Sequence, residues 1–364
     1  MPSIKIAVLP GDGIGPEIID ASLPVIDAAA RQAGLDLDFE HALVGGAAYD
    51  ATGHPLPPAT LKLCDSAAAI YFGAVGGPKY DKIPDPNLRP ERGSLLPLRK
   101  RYTLYANVRP AIVYKGLEKR SAIKEEIVTG MDLLVIRELV GGAYFGKKEL
   151  KKDRAYDVID YDAKQIDRTL DFAFKAAMGR KKHLTLVHKA NVLLTSVLWK
   201  QRWDVIRKKY PKVAVDDCYV DAFTMYLISK PTAFDVMVTE NMMGDILTDE
   251  AAQVTGSIGL IPSASLGAKK TKWGVFGLYE PSHGSAPDIA GKGLANPLAT
   301  ILSGAMMLRY SFGAEKAALK VEAAVRKVLA KGLRTRDLAP STGSGQAHQA
   351  LSTGQMGQAV LKAL

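Results

Sequence analysis

Two aspartates in the second half of the chain are spaced for metal binding. Asp245 and Asp249 stand four positions apart, so on a helix both carboxylates lie on one face. Like charges at this spacing destabilise a helix by roughly 0.2–0.5 kcal/mol unless positive charge lies between them. Hard oxygen ligands of this kind suit Mg²⁺ or Mn²⁺. The pair therefore predicts a divalent metal site with Asp221 as a third carboxylate, although an acidic pair that faces water fits the spacing as well.

Three arginines beside apolar segments are suited to binding an acid. Arg99, Arg109 and Arg137 each adjoin a run of aliphatic residues with strand or turn character. An arginine in such a place is either half of a structural ion pair or a bidentate clamp for a carboxylate. Taken singly, each fits a structural pair better. Together with a divalent cation, the three predict a substrate that carries two carboxylates.

Two further segments contain candidate functional residues. Lys189 ends a run of apolar strand residues, and a lysine so placed either gives up its charge and acts as a base or pairs with a carboxylate. The segment from Glu280 to Asn296 is dense in glycine, and its glycines and Ser285 permit a ligand to approach the backbone closely. Asp288 in this segment can accept hydrogen bonds from a ribose diol, and its charge would repel a 2′-phosphate.

The elements that must position these residues alternate between strand and helix. Alternation of this kind predicts an α/β fold around a mixed or parallel sheet. Helices are predicted from Pro16 to Gly34 and over Gln165–Gly179, and the chain is predicted to be mainly helical from Pro297 onward. Strands are predicted at Ile4–Leu9, Ala68–Val75, Leu104–Val113, Asp132–Leu139, His183–His188 and Phe234–Thr239.

Three segments depart from this simple pattern. The glycines at positions 11, 13 and 15 follow the first strand, but Pro16 occupies the position of the third glycine in a dinucleotide-binding fingerprint, so this turn is not a Rossmann loop. Residues 145–162 are rich in charge and fit a solvated hairpin, an arm that reaches a partner subunit, or a mobile loop. Residues 257–272, rich in Gly, Ser and Pro, indicate a crossing between domains.

Composition excludes several classes of protein. The chain has 364 residues, of which 47% are hydrophobic and 24% charged, which excludes disorder and a membrane protein and predicts about two domains. The net charge of +10 comes from short, scattered basic clusters without a nucleic-acid-binding motif, so neither nucleic acid nor a membrane is an expected partner. With two cysteines and no apolar leader at the amino terminus, the chain is expected to be cytoplasmic.

These segments, in this order, resemble the β-decarboxylating dehydrogenases of the isocitrate/isopropylmalate family, and most closely its isopropylmalate branch. The resemblance covers essentially the whole chain. It implies an α/β fold in which two domains share a mixed central sheet, without a Rossmann unit. Residues 1–104 and 257–364 would form the cofactor-binding domain, and residues 105–256 the substrate, metal and dimerisation domain with a charged arm near 145–162. It also implies a homodimer whose active sites are shared between subunits.

The resemblance also assigns roles to residues. Tyr144 matches the catalytic tyrosine, and Lys189 and Asp221 match the residues that, from the partner subunit, handle the hydroxyl proton. The metal ligands would be Asp221, Asp245 and Asp249, holding Mg²⁺ or Mn²⁺. The substrate contacts would be Arg99, Arg109, Arg137, Leu95, Leu96, Glu91, Asn191 and Val192. The loop for NAD would contain Glu280, His283, Gly284, Ser285, Ala286, Pro287, Asp288, Ile289 and Asn296.

The expected reaction is the NAD-dependent oxidative decarboxylation of (2R,3S)-3-isopropylmalate in leucine biosynthesis. Leu95 and Leu96, with Val192, would form an apolar wall for the isopropyl group, against which an unpaired carboxylate would cost several kcal/mol. His188 departs from the isopropylmalate branch, which usually has aspartate before the catalytic lysine. Homoisocitrate, isocitrate or tartrate therefore stay open as substrates, and a basic nucleic-acid-binding protein is the disfavoured alternative of another class.

Overall fold

A computed structural model describes residues 3–339 and 350–364. Twelve strands run along this described part of the chain. They are β1 Ile4–Gly11, β2 Leu37–His41, β3 Ala69–Ala74, β4 Ala106–Ile112, β5 Asp132–Glu138, β6 Lys148–Leu150, β7 Ala155–Asp157, β8 His183–His188, β9 Ala214–Tyr219, β10 Val236–Thr239, β11 Pro262–Lys270 and β12 Val275–Pro281.

Twelve α-helices connect or cover these strands, together with short 3-10 turns and one π-helical turn at Glu91–Leu95. They are α1 Gly15–Gln32, α2 Gly45–Thr52, α3 Pro58–Ser66, α4 Leu96–Arg101, α5 Glu125–Val128, α6 Ala163–Met178, α7 Leu194–Ile206, α8 Val220–Ser229, α9 Asn241–Thr255, α10 Leu298–Phe312, α11 Glu315–Ala330 and α12 Thr353–Ala363. No helix within the described residues is long and apolar enough to span a bilayer.

One mixed sheet of ten strands runs through the molecule in the order β2-β1-β3-β12-β11-β4-β5-β10-β8-β9. The outer strands on both sides are parallel, whereas β12, β11, β4 and β5 pair antiparallel at the centre. The first five strands in this order come from residues 4–74 and 262–281, and the other five come from residues 106–239. The chain therefore leaves the first half of the sheet, builds the second half and then returns.

Helices cover both faces of this sheet because its buried strands are apolar on both sides. Ile6 and Val8 of β1 pack into a core with α1, α10, α11 and α12. On the opposite face of the sheet, Ala7 and Leu9 pack against α3 and α4. On this second face α8 and α9 also pack against β5 and β10, through a separate cluster. The result is a three-layer arrangement in which a loop at a strand end can expose a functional side chain.

All six predicted strands and both predicted helices are confirmed to within two residues at most ends. The helical C-terminal region is also confirmed by α10, α11 and α12. The crossing between domains predicted for residues 257–272 stays a prediction; most of this segment is β11, a central strand that was not predicted and whose small side chains are buried between two neighbours. The charged segment 145–162 contains the hairpin β6–β7, whose strand residues are all exposed.

Candidate active site

A cleft of about 1330 Å³ opens beside the central strands of the sheet. Its walls come from the end of β3 and the loop after it, the turn at Glu91–Leu95, and side chains of β4, β5, α9 and β12. Most of the predicted active-site residues that belong to one chain line it. They are Glu91, Leu95, Leu96, Arg99, Arg109, Arg137, Tyr144, Asp245, Glu280, His283 and Gly284.

Two of the predicted arginines meet at Asp245. Arg137 on β5 is buried, forms an ion pair with Asp245, and donates from Nε to the Asn241 Oδ1 at 2.9 Å. Arg109 on β4 lies 3.6 Å from the same carboxylate and donates to the Thr248 hydroxyl at 2.7 Å. Asn241 and Thr248 were not predicted as site residues. Each lies one helical turn from Asp245 on α9, and this spacing could have indicated that they share its face of the helix.

The third arginine, Arg99, is held by Glu280, whose carboxylate accepts from its Nη2 at 2.9 Å. The Nε atoms of Arg99 and Arg109 are buried and have no hydrogen-bond partner within the described residues. Burial and the neighbouring Arg109 lower the pKa of Arg137 to about 10, and Asp245 opposes this shift. The cleft therefore concentrates positive charge and retains unpaired donors, which suits an anionic ligand.

The two aspartates of α9 differ in their charge environment. Burial on its own would raise the pKa of Asp245, but attraction to Arg137 and Arg109 outweighs burial and lowers it. Partial burial raises the pKa of Asp249, with Asp245 contributing in the same direction and Arg109 opposing. The arginines therefore compensate the charge of Asp245 more fully than that of Asp249. A hard divalent cation bound to both carboxylates would stabilise the pair.

Tyr144 ends a 3-10 turn that follows β5. Gly142 in this turn has φ +69°, and a Cβ there would lie 2.5 Å from the Tyr161 hydroxyl, so glycine is required. The Tyr144 hydroxyl donates to Asp245 Oδ2 at 2.9 Å, and the Arg137 guanidinium carbon lies 5.6 Å from the centre of its ring. Burial and Asp245 raise the pKa of Tyr144 to about 12. The phenol is therefore protonated at neutral pH.

A buried carboxylate network behind Tyr144 was missed by the sequence analysis. Glu138, fully buried at the end of β5, accepts the backbone N–H of Gly141 at 2.8 Å. Glu240 caps the start of α9 and accepts a hydrogen bond from Tyr161 at 3.2 Å. Burial raises the pKa of Glu138 to about 7. These contacts fix the turn that carries Tyr144. In the sequence, the only indication of the network was a glutamate at the end of each of two apolar strands.

Lys189 and Asp221 form a pair away from the cleft. The Lys189 ammonium donates to Asp221 Oδ1 at 2.6 Å, and the Asp221 side chain is 65% exposed. This hydrogen bond lowers the pKa of Asp221. Neither residue lines the cleft, and across residues 3–339 and 350–364 no three His, Cys, Asp or Glu side chains come together as a metal site. Within one chain, then, Asp221 does not join Asp245 and Asp249.

The inner side of the predicted cofactor loop is anchored to the glycine-rich turn after β1. The carbonyl of Ser285 accepts the N–H of Ile14 at 2.8 Å, and the Ser285 hydroxyl donates to the carbonyl of Gly76 at 2.8 Å. Gly13 has φ +59°, and a Cβ there would lie 1.9 Å from the Ser285 carbonyl oxygen. The turn that resembled a Rossmann fingerprint therefore supports this loop by close backbone packing.

The outer side of the same loop faces solvent. The Nε2 atom of His283 is buried and has no hydrogen-bond partner within the described residues, and burial lowers the pKa of this histidine. The Asn296 amide points inward and donates to Asp337 Oδ2 at 3.0 Å. The loop thus has an open outer surface, and one ring nitrogen buried within it has no hydrogen-bond partner among the described residues. Its exposed or partly exposed members are Gly284, Ala286, Pro287, Asp288 and Ile289.

The predicted apolar wall is only partly assembled within one chain. Leu95 and Leu96 are half-buried and line the cleft beside Glu91, whose pKa is raised by partial burial. Val192 is 68% exposed, and neither it nor Asn191 lines the cleft. The two leucines therefore form the wall that this chain supplies, and the loop that carries Asn191 and Val192 lies elsewhere on the same chain.

Comparison with known proteins agrees with this geometry. The family model described as isocitrate/isopropylmalate dehydrogenase matches residues 5–360. The chain belongs to this family. Within the family it is 53% identical over 365 residues to the 3-isopropylmalate dehydrogenase of Moorella thermoacetica, with 99% of each chain covered. It is 50% identical over 370 residues to the 3-isopropylmalate dehydrogenase of Mannheimia succiniciproducens, with full coverage of both.

The solved structures of the family agree as well. The crystal structure of isocitrate dehydrogenase from Methylococcus capsulatus superposes with a TM-score of 0.85 at 37% identity and 99% coverage of both chains. Membership of the isocitrate/isopropylmalate family confirms the resemblance predicted from the sequence, and the mixed ten-stranded sheet confirms the predicted fold class. The roles predicted for individual residues stay predictions.

Proposed function

We propose that this chain is an oxidoreductase of leucine biosynthesis that oxidises (2R,3S)-3-isopropylmalate with NAD and decarboxylates it to 4-methyl-2-oxopentanoate. The observation that carries this proposal is the convergence of Arg99, Arg109 and Arg137 in a cleft that Leu95 and Leu96 also line. Guanidinium groups bind carboxylates in a fixed geometry, and an apolar wall favours a branched alkyl group over a third carboxylate. The curated relatives named 3-isopropylmalate dehydrogenase support the same substrate.

The residues present fit a divalent cation. Asp245 lines the cleft, Asp249 follows one helical turn later on α9, and the pKa of Asp249 is raised by partial burial and by its like-charged neighbour. A bound cation would relieve that repulsion. Asp221, exposed in one chain, would complete the set from the partner subunit. These three aspartates would hold Mg²⁺ or Mn²⁺, ions that take oxygen ligands.

The residues of the 283–289 loop fit a nicotinamide dinucleotide. The loop is anchored on its inner side and exposed on its outer side, and the Nε2 of His283 is buried without a hydrogen-bond partner within the described residues. No atom lies within 4 Å of the place where a Cβ on Gly284 would stand, so a ligand can approach the backbone there. The exposed Asp288 would accept hydrogen bonds from the ribose diol and repel a 2′-phosphate, which favours NAD over NADP.

The chain's own residues then perform the binding and proton-transfer steps. Bound NAD supplies the hydride acceptor, and bound Mg²⁺ or Mn²⁺ supplies positive charge that acidifies the C2 hydroxyl and stabilises the enolate. The arginines hold the two carboxylates and orient C2 for reaction. Lys189 of the partner subunit, held by Asp221 of the partner subunit, takes the hydroxyl proton at Nζ. After CO2 leaves C3, Tyr144 donates its phenolic proton to C3 of the enolate, which gives the 2-oxo acid.

A homodimer with shared active sites would supply the residues that one chain keeps away from its cleft. Large apolar side chains are exposed along one part of the sequence, where a second subunit could cover them. They are Leu150, Tyr156, Val158, Val192, Leu194, Tyr219, Met225, Tyr226, Ile228 and Ile246. The same segment carries Lys189, Asp221 and the exposed hairpin β6–β7, so an interface formed here would place catalytic residues and the arm at the subunit boundary.

The two halves of the sheet support a matching division into domains. We propose that residues 1–104 and 257–364 bind the cofactor, and that residues 105–256 bind substrate and metal and form the dimer. The strand order supports this division, because the five strands that each proposed domain contributes to the large sheet are adjacent in it. The cleft is lined by residues of both proposed domains, so movement of the domains would open or close it. A cytoplasmic location completes the proposal.

A substrate panel read at 340 nm tests the proposed function. Purified protein with Mg²⁺ would be given 3-isopropylmalate, isocitrate, homoisocitrate or tartrate, each with NAD and with NADP. The proposal predicts that 3-isopropylmalate with NAD gives the highest kcat/KM. A higher value with one of the other acids would assign a different 3-substituted malate, and the absence of reduction with all of them, despite a folded protein, would overturn the proposal.

A further inference from the structure

His188 connects the strand β8 to the turn that carries Lys189. Its ring is buried at the end of β8, and its Nδ1 accepts the backbone N–H of Ala190 at 3.1 Å. Its Nε2 lies 2.8 Å from Asp217 Oδ2. The backbone N–H of Lys189 donates to the Ser196 hydroxyl at 3.1 Å. Two side chains, those of His188 and Ser196, therefore fix the direction in which the chain leaves β8.

These contacts define the tautomer of His188. A ring nitrogen that accepts a backbone N–H carries no proton itself. Since Nδ1 is the acceptor, the ring proton lies on Nε2, where it is donated to the Asp217 carboxylate. Lys200 donates to the same oxygen of Asp217 at 2.6 Å, so this carboxylate is oriented from two sides. His188 thus bridges a fixed anion and the backbone of the turn after it.

The same histidine also contacts the element that carries Asp221. His188 is paired in register with Tyr219 of the parallel strand β9, and the centres of their rings lie 5.2 Å apart in an edge-on arrangement. Tyr219 directly precedes α8, whose first turn contains Asp221. Lys189 and Asp221, the two members of the 2.6 Å pair, therefore leave adjacent strands at positions that His188 contacts directly.

We infer that His188 is a positioning residue for proton transfer: its neutral ring holds the Ala190 N–H and Tyr219 so that Lys189 and Asp221 stay paired in the orientation that reaches the substrate. This inference rests on the proposed function of Lys189. It goes beyond that function because it states that a buried residue, which touches neither substrate nor cofactor, sets the orientation of the proton acceptor Lys189. The critical contact is the one from Ala190 to Nδ1, since it fixes the first peptide after Lys189.

Two substitutions separate the two hydrogen bonds of the ring. His188→Asn can place its carboxamide oxygen near the position of Nδ1, which keeps the acceptor and removes the donor. His188→Gln can reach the position of Nε2, which keeps the donor to Asp217 and removes the acceptor. Thr185→Val is the matched control, because Thr185 is a buried residue of the same strand whose hydroxyl has no partner within the described residues.

The expected result is a loss of kcat that depends on the acceptor. His188→Gln should lower kcat about ten- to one-hundred-fold, the scale expected when a reacting group is displaced by about 1 Å. Its KM for NAD should stay within about twofold, since His188 contacts Asp217, Ala190 and Tyr219 and not the cofactor loop. His188→Asn should retain kcat within about threefold, and Thr185→Val should match the wild type. Equal kcat in His188→Gln and the wild type would overturn the inference.

Amide hydrogen exchange tests the same inference without any substrate. His188→Gln should exchange faster than the wild type at residues 190–193, while His188→Asn and Thr185→Val should not. If both His188 variants instead exchanged faster throughout β8 and β9 and melted at equally lower temperatures, the ring would be structural and the inference would be wrong. This readout separates the two proposals, because an inactive wild type would refute the function while the exchange pattern still decides the role of His188.

Discussion

The hydroxyl of Tyr144 donates a hydrogen bond to Asp245 Oδ2 across 2.9 Å. The proposed proton donor is therefore in direct contact with a proposed metal ligand, which also pairs with Arg137. A metal ion bound to Asp245 would draw electron density from that carboxylate and so weaken its hold on the phenolic proton. This contact places the proton donor within one hydrogen bond of the proposed metal site.

Tyr144→Phe tests whether the phenol is the acid. The variant should lower kcat for keto-acid formation by about 10²- to 10⁴-fold, the usual contribution of a general acid. Reduction of NAD in a single turnover should be slowed much less, because the phenol acts after hydride transfer. Rapid-mixing absorbance at 340 nm and a separate assay for 4-methyl-2-oxopentanoate measure the two steps. Tyr49→Phe, on α2 outside the cleft, is the control, and unchanged product formation in Tyr144→Phe would refute the role.

Arg137→Lys tests whether the guanidinium geometry is needed. Arg137 donates from Nε to Asn241 and from Nη1 to Asp245, and a lysine ammonium cannot make both contacts and also bind a carboxylate. We expect kcat/KM for 3-isopropylmalate to fall about 10²-fold, the equivalent of one or two charged hydrogen bonds. Arg31→Lys, at an exposed ion pair on α1, should change nothing. Equal losses in both variants would show that the effect is not specific to the cleft.

Mixed dimers test whether the active site is shared between subunits. Lys189→Ala and Tyr144→Phe should each be inactive as pure proteins, since each removes one essential group from every site. If Lys189 acts on the partner's cleft, dissociation and random reassociation of equal amounts should restore about one quarter of wild-type activity, because half the dimers would contain one intact site. No recovery, in a mixture shown to contain heterodimers, would place Lys189 and Tyr144 in the same subunit's site.

Glu138→Gln tests the buried carboxyl behind Tyr144. Burial raises the pKa of Glu138 from 4.5 to about 7, so its stabilising contribution is complete below pH 4.5 and is lost as the pH rises to about 7. The loss amounts to roughly 3 kcal/mol at most. In Glu138→Gln nothing titrates at this position, so the free energy of unfolding should change less between pH 5 and pH 7.5 than in the wild type. Urea unfolding at several pH values and one protein concentration measures this change in the free energy of unfolding.

The control for this measurement is Glu126→Gln, at an exposed residue of α5. It should keep the wild-type dependence on pH, because an exposed carboxyl has similar surroundings in the folded and unfolded chains. If Glu138→Gln also kept the wild-type dependence, the Glu138 carboxyl would be ionised in the folded protein throughout this range.

Local sequence patterns were sufficient to predict the position of a residue where a single helix or strand determines it. The spacing of Asp245 and Asp249 placed both on one face of α9, and the runs of aliphatic residues located β1, β3, β4, β5, β8 and β10. Arg109 and Arg137 could be recognised together because each interrupts an apolar strand. These signals are local, so they survive in a single sequence without any knowledge of the fold.

Contacts between distant segments could not be predicted in this way. The segment that became β11 has small residues and no apolar alternation, and it is a strand only because β12 and β4 pair with it on either side. The turn around Gly13 could be excluded as a Rossmann loop, but its contact with Ser285 joins segments far apart in the chain. The hydrogen bond from Tyr161 to Glu240 is likewise tertiary, and patterns in a single sequence contain no information about it.

The stoichiometry of the reaction tests the central claim most directly. Wild-type protein would be incubated with NAD, Mg²⁺ and a limiting amount of (2R,3S)-3-isopropylmalate, and NADH, CO2 and 4-methyl-2-oxopentanoate would be measured together, with a parallel sample in EDTA. Our account predicts equal amounts of all three products with Mg²⁺ and no turnover in EDTA. NADH formed without CO2, or full turnover in EDTA, would contradict it.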